Sequence, residues 1–174
     1  MNGKLLAACA APVFIAATAQ AATLAPDLAG LSFLLGQWSA GVGRVADTGG
    51  TSQGSSLITA EAGGGVLLRR DHTSLFNKAG QQTGGFDQIM MIYPEAGQIH
   101  AEYADGTHII HYRSASITPG HAVTFTSAAP PGAPVFKLTY TLQDAHTLGV
   151  SFAMVPPGAT TPQPIATGTL KKQP

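Results

Sequence analysis

The chain has 174 residues, with nine Lys or Arg and nine Asp or Glu, so its formal net charge is zero. Charged residues make up 10% of the sequence, and no basic cluster exceeds the pairs Arg69-Arg70 and Lys171-Lys172. Nucleic-acid binding needs a concentrated positive surface, so we expect no nucleic-acid partner. The length suits one domain with a real core.

The first 21 residues have the pattern of a secretory signal peptide. Lys4 precedes an apolar stretch from Leu5 to Ala19, and Ala19-Gln20-Ala21 is a small-x-small cleavage site. The apolar stretch is shorter than the roughly 20 residues that a membrane span requires, so we expect no membrane span. The sequence therefore predicts an exported protein, periplasmic or secreted.

An alternative for this segment is a lipoprotein signal, because Leu6-Ala7-Ala8-Cys9 resembles a bacterial lipobox. It would leave almost no apolar region ahead of Cys9, so we favour cleavage after Ala21. Cys9 is the one cysteine of the sequence, and its removal leaves a mature chain that must fold without disulfides. We divide the chain into a signal peptide (1–21), an N-terminal segment (22–36) and a barrel domain (37–174).

The N-terminal segment contains a short predicted helix. Leu28, Leu31 and Leu35 fall at helical spacing behind Pro26 and Asp27, which suit a first helical turn. We expect the apolar face of this helix to cover one end of the domain formed by residues 37–174.

The rest of the chain is predicted to form short strands separated by turns that contain Gly, Pro, Asp and Asn. Phe136, Leu138, Tyr140 and Leu142 alternate with polar residues, which is typical of a strand with one dry and one wet face. Ten strands are predicted, at 37–46, 55–61, 65–75, 85–93, 97–104, 107–117, 121–127, 134–143, 146–154 and 163–172.

Sequential hairpins without helical crossovers indicate an all-β meander. Closure into an antiparallel up-and-down barrel of about ten strands removes the exposed edges, and a barrel of this size has room for a ligand. A β-sandwich is the second architecture considered. The Gly/Pro/Ser-rich segments 46–54, 76–84, 128–133 and 155–162 are interpreted as rim loops.

One hairpin has a predicted register. Asp105-Gly106 is a strong two-residue turn signal, which would pair Ala104 with Thr107 and Tyr103 with His108. The same register would place His100 opposite His111.

The segment from Phe33 to Gly43, with its Gly36-Gln37-Trp38, resembles the opening of lipocalin-like (calycin-type) barrels. It is most similar to uncharacterised bacterial lipocalin-like proteins and, more distantly, to nitrobindin-like haem-binding barrels. Further segments that carry the resemblance are Phe86–Tyr93, His108–Arg113 and Phe136–Leu142. The resemblance implies an up-and-down barrel with Trp38 packed at one end. The chemistry of the residue agrees, because a large aromatic after a small Gly can plug the narrow end with its N–H bonded to a neighbouring carbonyl.

The haem-binding relatives have an iron-ligating His near the end of the chain. The predicted strand 163–172 contains no His, and His146 is the last His of the sequence. We therefore expect no cofactor, and haem in particular is not expected.

Candidate ligand-binding residues lie on the more apolar faces of the predicted strands. Pockets are mostly apolar with a few placed polar groups, and five side chains fit that description: Tyr103, His108, Tyr112, Tyr140 and Phe152. We assign no catalytic residues. His100, Glu102 and His111 form a weak candidate metal site, but they share a polar face with Arg113, so we expect a solvent-exposed cluster and no metal.

The segment Arg69-Arg70-Asp71-His72 interrupts an apolar strand. We expect an ion-paired surface near the barrel mouth, with Asp71 as the partner. If one residue points inward to pair with an anionic group, we expect it to be Arg70 or His72.

These patterns predict a barrel that binds a small, largely apolar molecule. Two alternatives stay open: an enzyme that uses a lumenal His or Tyr such as His108 or Tyr103 as acid or base, and a barrel with a filled core that binds another protein. The sequence does not predict an oligomeric state.

Overall fold

The computed structural model describes residues 23–46 and 48–174 and contains a closed barrel of ten antiparallel strands. The predicted all-β up-and-down barrel is confirmed, and the sandwich is wrong. The strands are β1 (Gly36–Val45), β2 (Thr51–Glu61), β3 (Val66–Phe76), β4 (Gln82–Glu95), β5 (Gln98–Ala104), β6 (Ile109–Thr118), β7 (Ala122–Ser127), β8 (Val135–Asp144), β9 (Thr147–Val155) and β10 (Gln163–Lys172).

Each strand pairs with the next along the chain, and β10 returns to pair with β1, where Trp38 faces Lys172. Closure leaves no free edge among these ten strands, which is the advantage of a barrel over an open sheet. Alternate connections lie at the same end, so the β1–β2, β3–β4, β5–β6, β7–β8 and β9–β10 loops surround one opening. The predicted rim loops belong to this set.

The N-terminal helix covers the opposite end of the barrel. It is a 3₁₀ helix spanning Pro26–Leu34, followed by Leu35 in an extended conformation. The backbone N–H of Ala25 donates to the Gly64 carbonyl at 3.0 Å, and the Gly30 carbonyl accepts from Gly120 at 2.8 Å. The helix is thus tied to the β2–β3 turn and to the β6–β7 turn.

Gly64 is required where the N-terminal segment crosses the β2–β3 turn. It has a φ of +90°, and a Cβ atom there would stand 2.1 Å from the Thr23 carbonyl oxygen. Only glycine satisfies both constraints, so this position holds the segment against the barrel.

Trp38 is fully buried under the helix. Its indole N–H donates to the Leu34 carbonyl at 2.9 Å, which satisfies the polar group of the ring. The Lys172 ammonium lies 5.3 Å from the centre of the ring, within cation–π range. Trp38 therefore joins the helix, β1 and β10 at the closed end.

The predicted register of the Asp105-Gly106 hairpin is wrong by two residues. Ala104 pairs with Ile109, and residues 105–108 form a four-residue loop. The Asp105 carboxylate accepts the backbone N–H groups of Thr107 at 2.9 Å and His108 at 2.7 Å. These hydrogen bonds stabilise the longer loop, since Asp side chains often accept hydrogen bonds from backbone N–H groups two or three residues later in the chain.

The signal peptide, the lipobox and Cys9 lie outside the described residues. Within the described part of the chain, no helix is long and apolar enough to cross a bilayer.

Candidate functional site

The half of the barrel away from the helix contains a cavity of about 450 Å³ that opens between the rim loops. Its volume lies within the range of about 300–1,000 Å³ typical of small-molecule sites. Apolar side chains form much of the wall, including Ile110, Leu138, Val150 and Phe152. We call this half the open half, and the half filled by the helix and Trp38 the closed half.

A buried arginine lies on the wall of this cavity. Arg69 on β3 is 5% exposed, and its terminal nitrogens donate to Asp71 at 2.8 Å, to Gln88 at 3.1 Å and to the Tyr140 hydroxyl. Gln88 in turn donates to Thr73 at 2.8 Å. The network thus runs across β3, β4 and β8 and fixes the guanidinium in place.

The charge of Arg69 is balanced inside the protein. Burial alone favours the neutral form, but Tyr140 and Asp71 outweigh it and raise the pKa of Arg69 above its usual range. The guanidinium therefore stays charged, with the Asp71 carboxylate as its counterion. The Arg69 Nε and Asp71 Oδ1 atoms are buried and have no hydrogen-bond partner among the described residues.

Two tyrosine hydroxyls accompany this ion pair. Burial raises the pKa of both Tyr112 and Tyr140, so both keep their protons at neutral pH. Tyr112 is 1% exposed and packs its ring against Phe125, with ring centres 6.0 Å apart. Both side chains line the cavity.

A second polar cluster stands at the mouth. The Asp105 carboxylate accepts a hydrogen bond from Tyr103 at 3.1 Å and lies 3.2 Å from the His108 Nδ1 atom. Partial burial by itself raises the pKa of Asp105, but the backbone N–H groups of His108 and Thr107 outweigh it and lower that pKa to about 2. Asp105 is therefore a carboxylate that organises the rim.

The structure brings all five predicted ligand-binding residues to this cavity, namely Tyr103, His108, Tyr112, Tyr140 and Phe152. Ligand contact by them stays a prediction. His108 differs from the others because it lies in the β5–β6 loop with its side chain 71% exposed. It is a rim residue and does not face Tyr103 across a ladder.

The sequence interpretation chose the wrong residues of the Arg69-Arg70 segment as the ones that could point into the barrel. Arg69 points inward, whereas Arg70 is 53% exposed beside Glu61, and His72 is 59% exposed beside Asp87 near the rim. The run Val66-Leu67-Leu68 is apolar at every position, so it does not reveal which alternate residues face the lumen. The neighbouring strand β4 does not reveal it either, because Ile89 to Ile92 is also apolar at every position; only the burial of Met90 and Ile92 in the structure shows which face is inside.

Sequence reasoning also missed Gln88. The sequence gives no clear signal for it, because its face of β4, with Phe86, Met90 and Ile92, is not distinctly more apolar than the opposite face.

The weak candidate metal residues lie on the outside of the barrel. Glu102 lies directly opposite His111, whose Nδ1 atom is in hydrogen-bond contact with its carboxylate, and Arg113 contacts Glu102 at 2.7 Å. Because Glu102 takes the place opposite His111, the predicted His100–His111 pairing is wrong. His100 stacks on Tyr93 of β4, with ring centres 5.9 Å apart. No group of three or more metal-ligating side chains occurs within residues 23–46 and 48–174.

A solved structure of low sequence identity shares the fold of this chain. The crystal structure of Rv2717c from M. tuberculosis is similar with a TM-score of 0.59 and 19% identity, covering 87% of this chain and 100% of that one. The structure of EF1p2_mFAP2b bound to DFHBI gives a TM-score of 0.46 and 13% identity, covering 83% of this chain and 98% of that one. No protein-family model and no curated protein matches the sequence.

Proposed function

We propose that this protein is an exported barrel that binds a small, largely apolar molecule in its open half. The observation that carries the proposal is the cavity of about 450 Å³, whose mostly apolar wall includes a buried and internally neutralised arginine. A few polar groups at fixed positions in an apolar pocket are typical of ligand sites. The same cavity argues against the filled-core alternative.

Binding is tested with the neutral apolar dye N-phenyl-1-naphthylamine, whose fluorescence rises in apolar surroundings. Val150 lines the cavity, and Ser151 follows it on β9 with its side chain on the other face. We expect Val150→Trp, whose larger side chain takes up part of the cavity, to weaken dye binding, and Ser151→Trp to leave it unchanged. Equal dye binding by both variants, or none by the unmodified protein, would contradict the proposal.

Export is part of the proposal and has its own support and test. The support is the charged, apolar and small-x-small pattern of residues 1–21. Expression of the full chain in a bacterium, followed by fractionation and intact-mass measurement, should find a periplasmic or secreted product that begins at Ala22. A cytoplasmic product that retains residues 1–21 would be contrary to this, and a lipid-modified Cys9 would support the lipobox instead.

We also propose membership of the lipocalin-like barrels without a haem cofactor. The support is the Phe33–Gly43 opening together with ten strands and a β10 that contains no His. The purified protein, supplied with haem, should show no Soret band of a ligated iron. Appearance of such a band at stoichiometric haem would overturn this expectation.

A further inference from the structure

The polar groups at the cavity wall are not equally available to a ligand, and this difference bears on ligand chemistry. Gln88 uses its amide oxygen to accept from Arg69 and its nitrogen to donate to Thr73. Asp71 Oδ2 accepts from Arg69, and Asp71 Oδ1 is buried from solvent. The acceptors of this network are therefore occupied or out of reach.

The donors are different. The Tyr140 hydroxyl accepts from Arg69, and no described residue accepts the proton that Tyr140 itself carries. The Tyr112 hydroxyl has no hydrogen-bond partner within the described chain, and it is not among the polar atoms closed off from solvent. Two hydroxyl protons thus remain for an acceptor brought by a ligand, because buried polar groups normally find partners.

The charges of Arg69 and Asp71 favour an uncharged acceptor group on the ligand over a charged one. Arg69 is already neutralised by Asp71 at 2.8 Å, so an additional carboxylate would leave a net negative charge in a low-dielectric site. Burying an uncompensated charge is costly, whereas a neutral acceptor that receives a hydrogen bond is not.

We propose that the ligand is an uncharged, largely apolar molecule with a carbonyl-type acceptor, which the Tyr112 and Tyr140 hydroxyls bind inside the open half. This inference rests on the proposed function, because it names the ligand class of the same cavity. Arg69 positions and polarises Tyr140, and does not serve as an anion receptor.

The test uses three naphthalenes of similar shape: 2-ethylnaphthalene, 2-acetylnaphthalene and 2-naphthoate. Binding to the full protein is measured by calorimetry at neutral pH. We expect the ketone to bind about fivefold to tenfold more tightly than the hydrocarbon, as one or two neutral hydrogen bonds predict. We expect the carboxylate to bind at least about tenfold more weakly than the ketone because of its desolvation.

Variants at Tyr112 and Asp71 test whether these residues cause the preference for the ketone. Tyr112→Phe should remove most of the preference for the ketone while leaving 2-ethylnaphthalene binding unchanged, and Tyr93→Phe on the outer face is the matched control. Asp71→Asn removes the counterion of Arg69, so 2-naphthoate should then bind more tightly than the ketone. Such a reversed order of affinity would show that the charge of Asp71 excludes anionic ligands, which a purely structural role of the ion pair does not predict.

The outcomes distinguish this inference from the function on which it rests. If none of the three compounds binds, the proposed function fails. If the hydrocarbon binds and the ketone gains nothing, or if 2-naphthoate binds best to the unmodified protein, the cavity is a ligand site and this inference alone is overturned.

Discussion

The closed and open halves of the barrel are built from the same strands, yet one is packed and the other hollow. In the closed half the helix packs Leu28, Leu31 and Leu34, all with 0% exposure, over the buried Trp38. In the open half, β1 and β10 contribute mainly small residues to the wall, including Ala40, Gly41, Gly43, Ala166 and Gly168. Small residues on two neighbouring strands leave space that no element within residues 23–46 and 48–174 fills, so the difference in residue size makes the cavity.

The largest expected effect comes from breaking the closed half. Trp38→Ala should lower the free energy of unfolding by about 3–5 kcal/mol, the usual cost of removing a buried aromatic side chain. Phe152→Ala in the open half, where the ring stacks on Phe136 at 5.7 Å beside the cavity, should cost less than half as much. Urea unfolding followed by circular dichroism checks both, and equal losses would erase the contrast between the halves.

The next effect concerns the buried ion pair in the open half. Arg69→Met leaves the Asp71 carboxylate without its partner and should lower the free energy of unfolding by about 3 kcal/mol. The double variant Arg69→Met/Asp71→Asn should recover a substantial part, because the unpaired charge is then gone. A double variant no more stable than Arg69→Met would show that the charge was not the cause.

A smaller effect is expected from pH at the mouth. The pKa of Asp105 is lowered from 3.8 to about 2 in the folded protein, so its stabilisation is present above pH 4 and is lost as pH falls toward 2. We expect Asp105→Asn to flatten this part of the stability profile by no more than about 2.5 kcal/mol, given the size of the shift. Thermal unfolding between pH 2 and 5 measures it, and an unchanged slope would be evidence against Asp105 as the rim organiser.

The smallest effect is expected at His108. Its side chain is 71% exposed in the β5–β6 loop, so it has little buried contact to lose. His108→Ala should change dye affinity by less than about threefold, which corresponds to a fraction of a kcal/mol. A larger loss of affinity would make the rim part of the binding site.

The fold was largely predictable from sequence because alternation is a strong local signal. Leu138 and Tyr140 on β8 face the lumen as their period predicts, and all ten strands occur where turn residues bound them. Tyr103 and Tyr112 lie on the predicted face of the sheet despite the register error, because a shift of two residues leaves every side chain on the same side.

The site was less predictable because it depends on contacts across strands. Arg69 follows an apolar run that hides its phase, and its partners Gln88 and Tyr140 come from strands 19 and 71 residues further along the chain. The loop around Asp105 was misread because one carboxylate bonds two backbone N–H groups ahead of it. Such bonds depend on local geometry that a residue pattern does not specify.

The pairing of β1 with β10 has a consequence for how the protein is made. Trp38 and Lys172 are neighbours in the barrel although 134 positions separate them in the sequence, so the ring closes only after the tenth strand has emerged. Contacts this distant in sequence slow folding, and a nascent chain meanwhile presents two unpaired strand edges that invite aggregation. Holding the chain unfolded until synthesis is complete would therefore protect it, which suits the proposed export of the chain as an extended polypeptide.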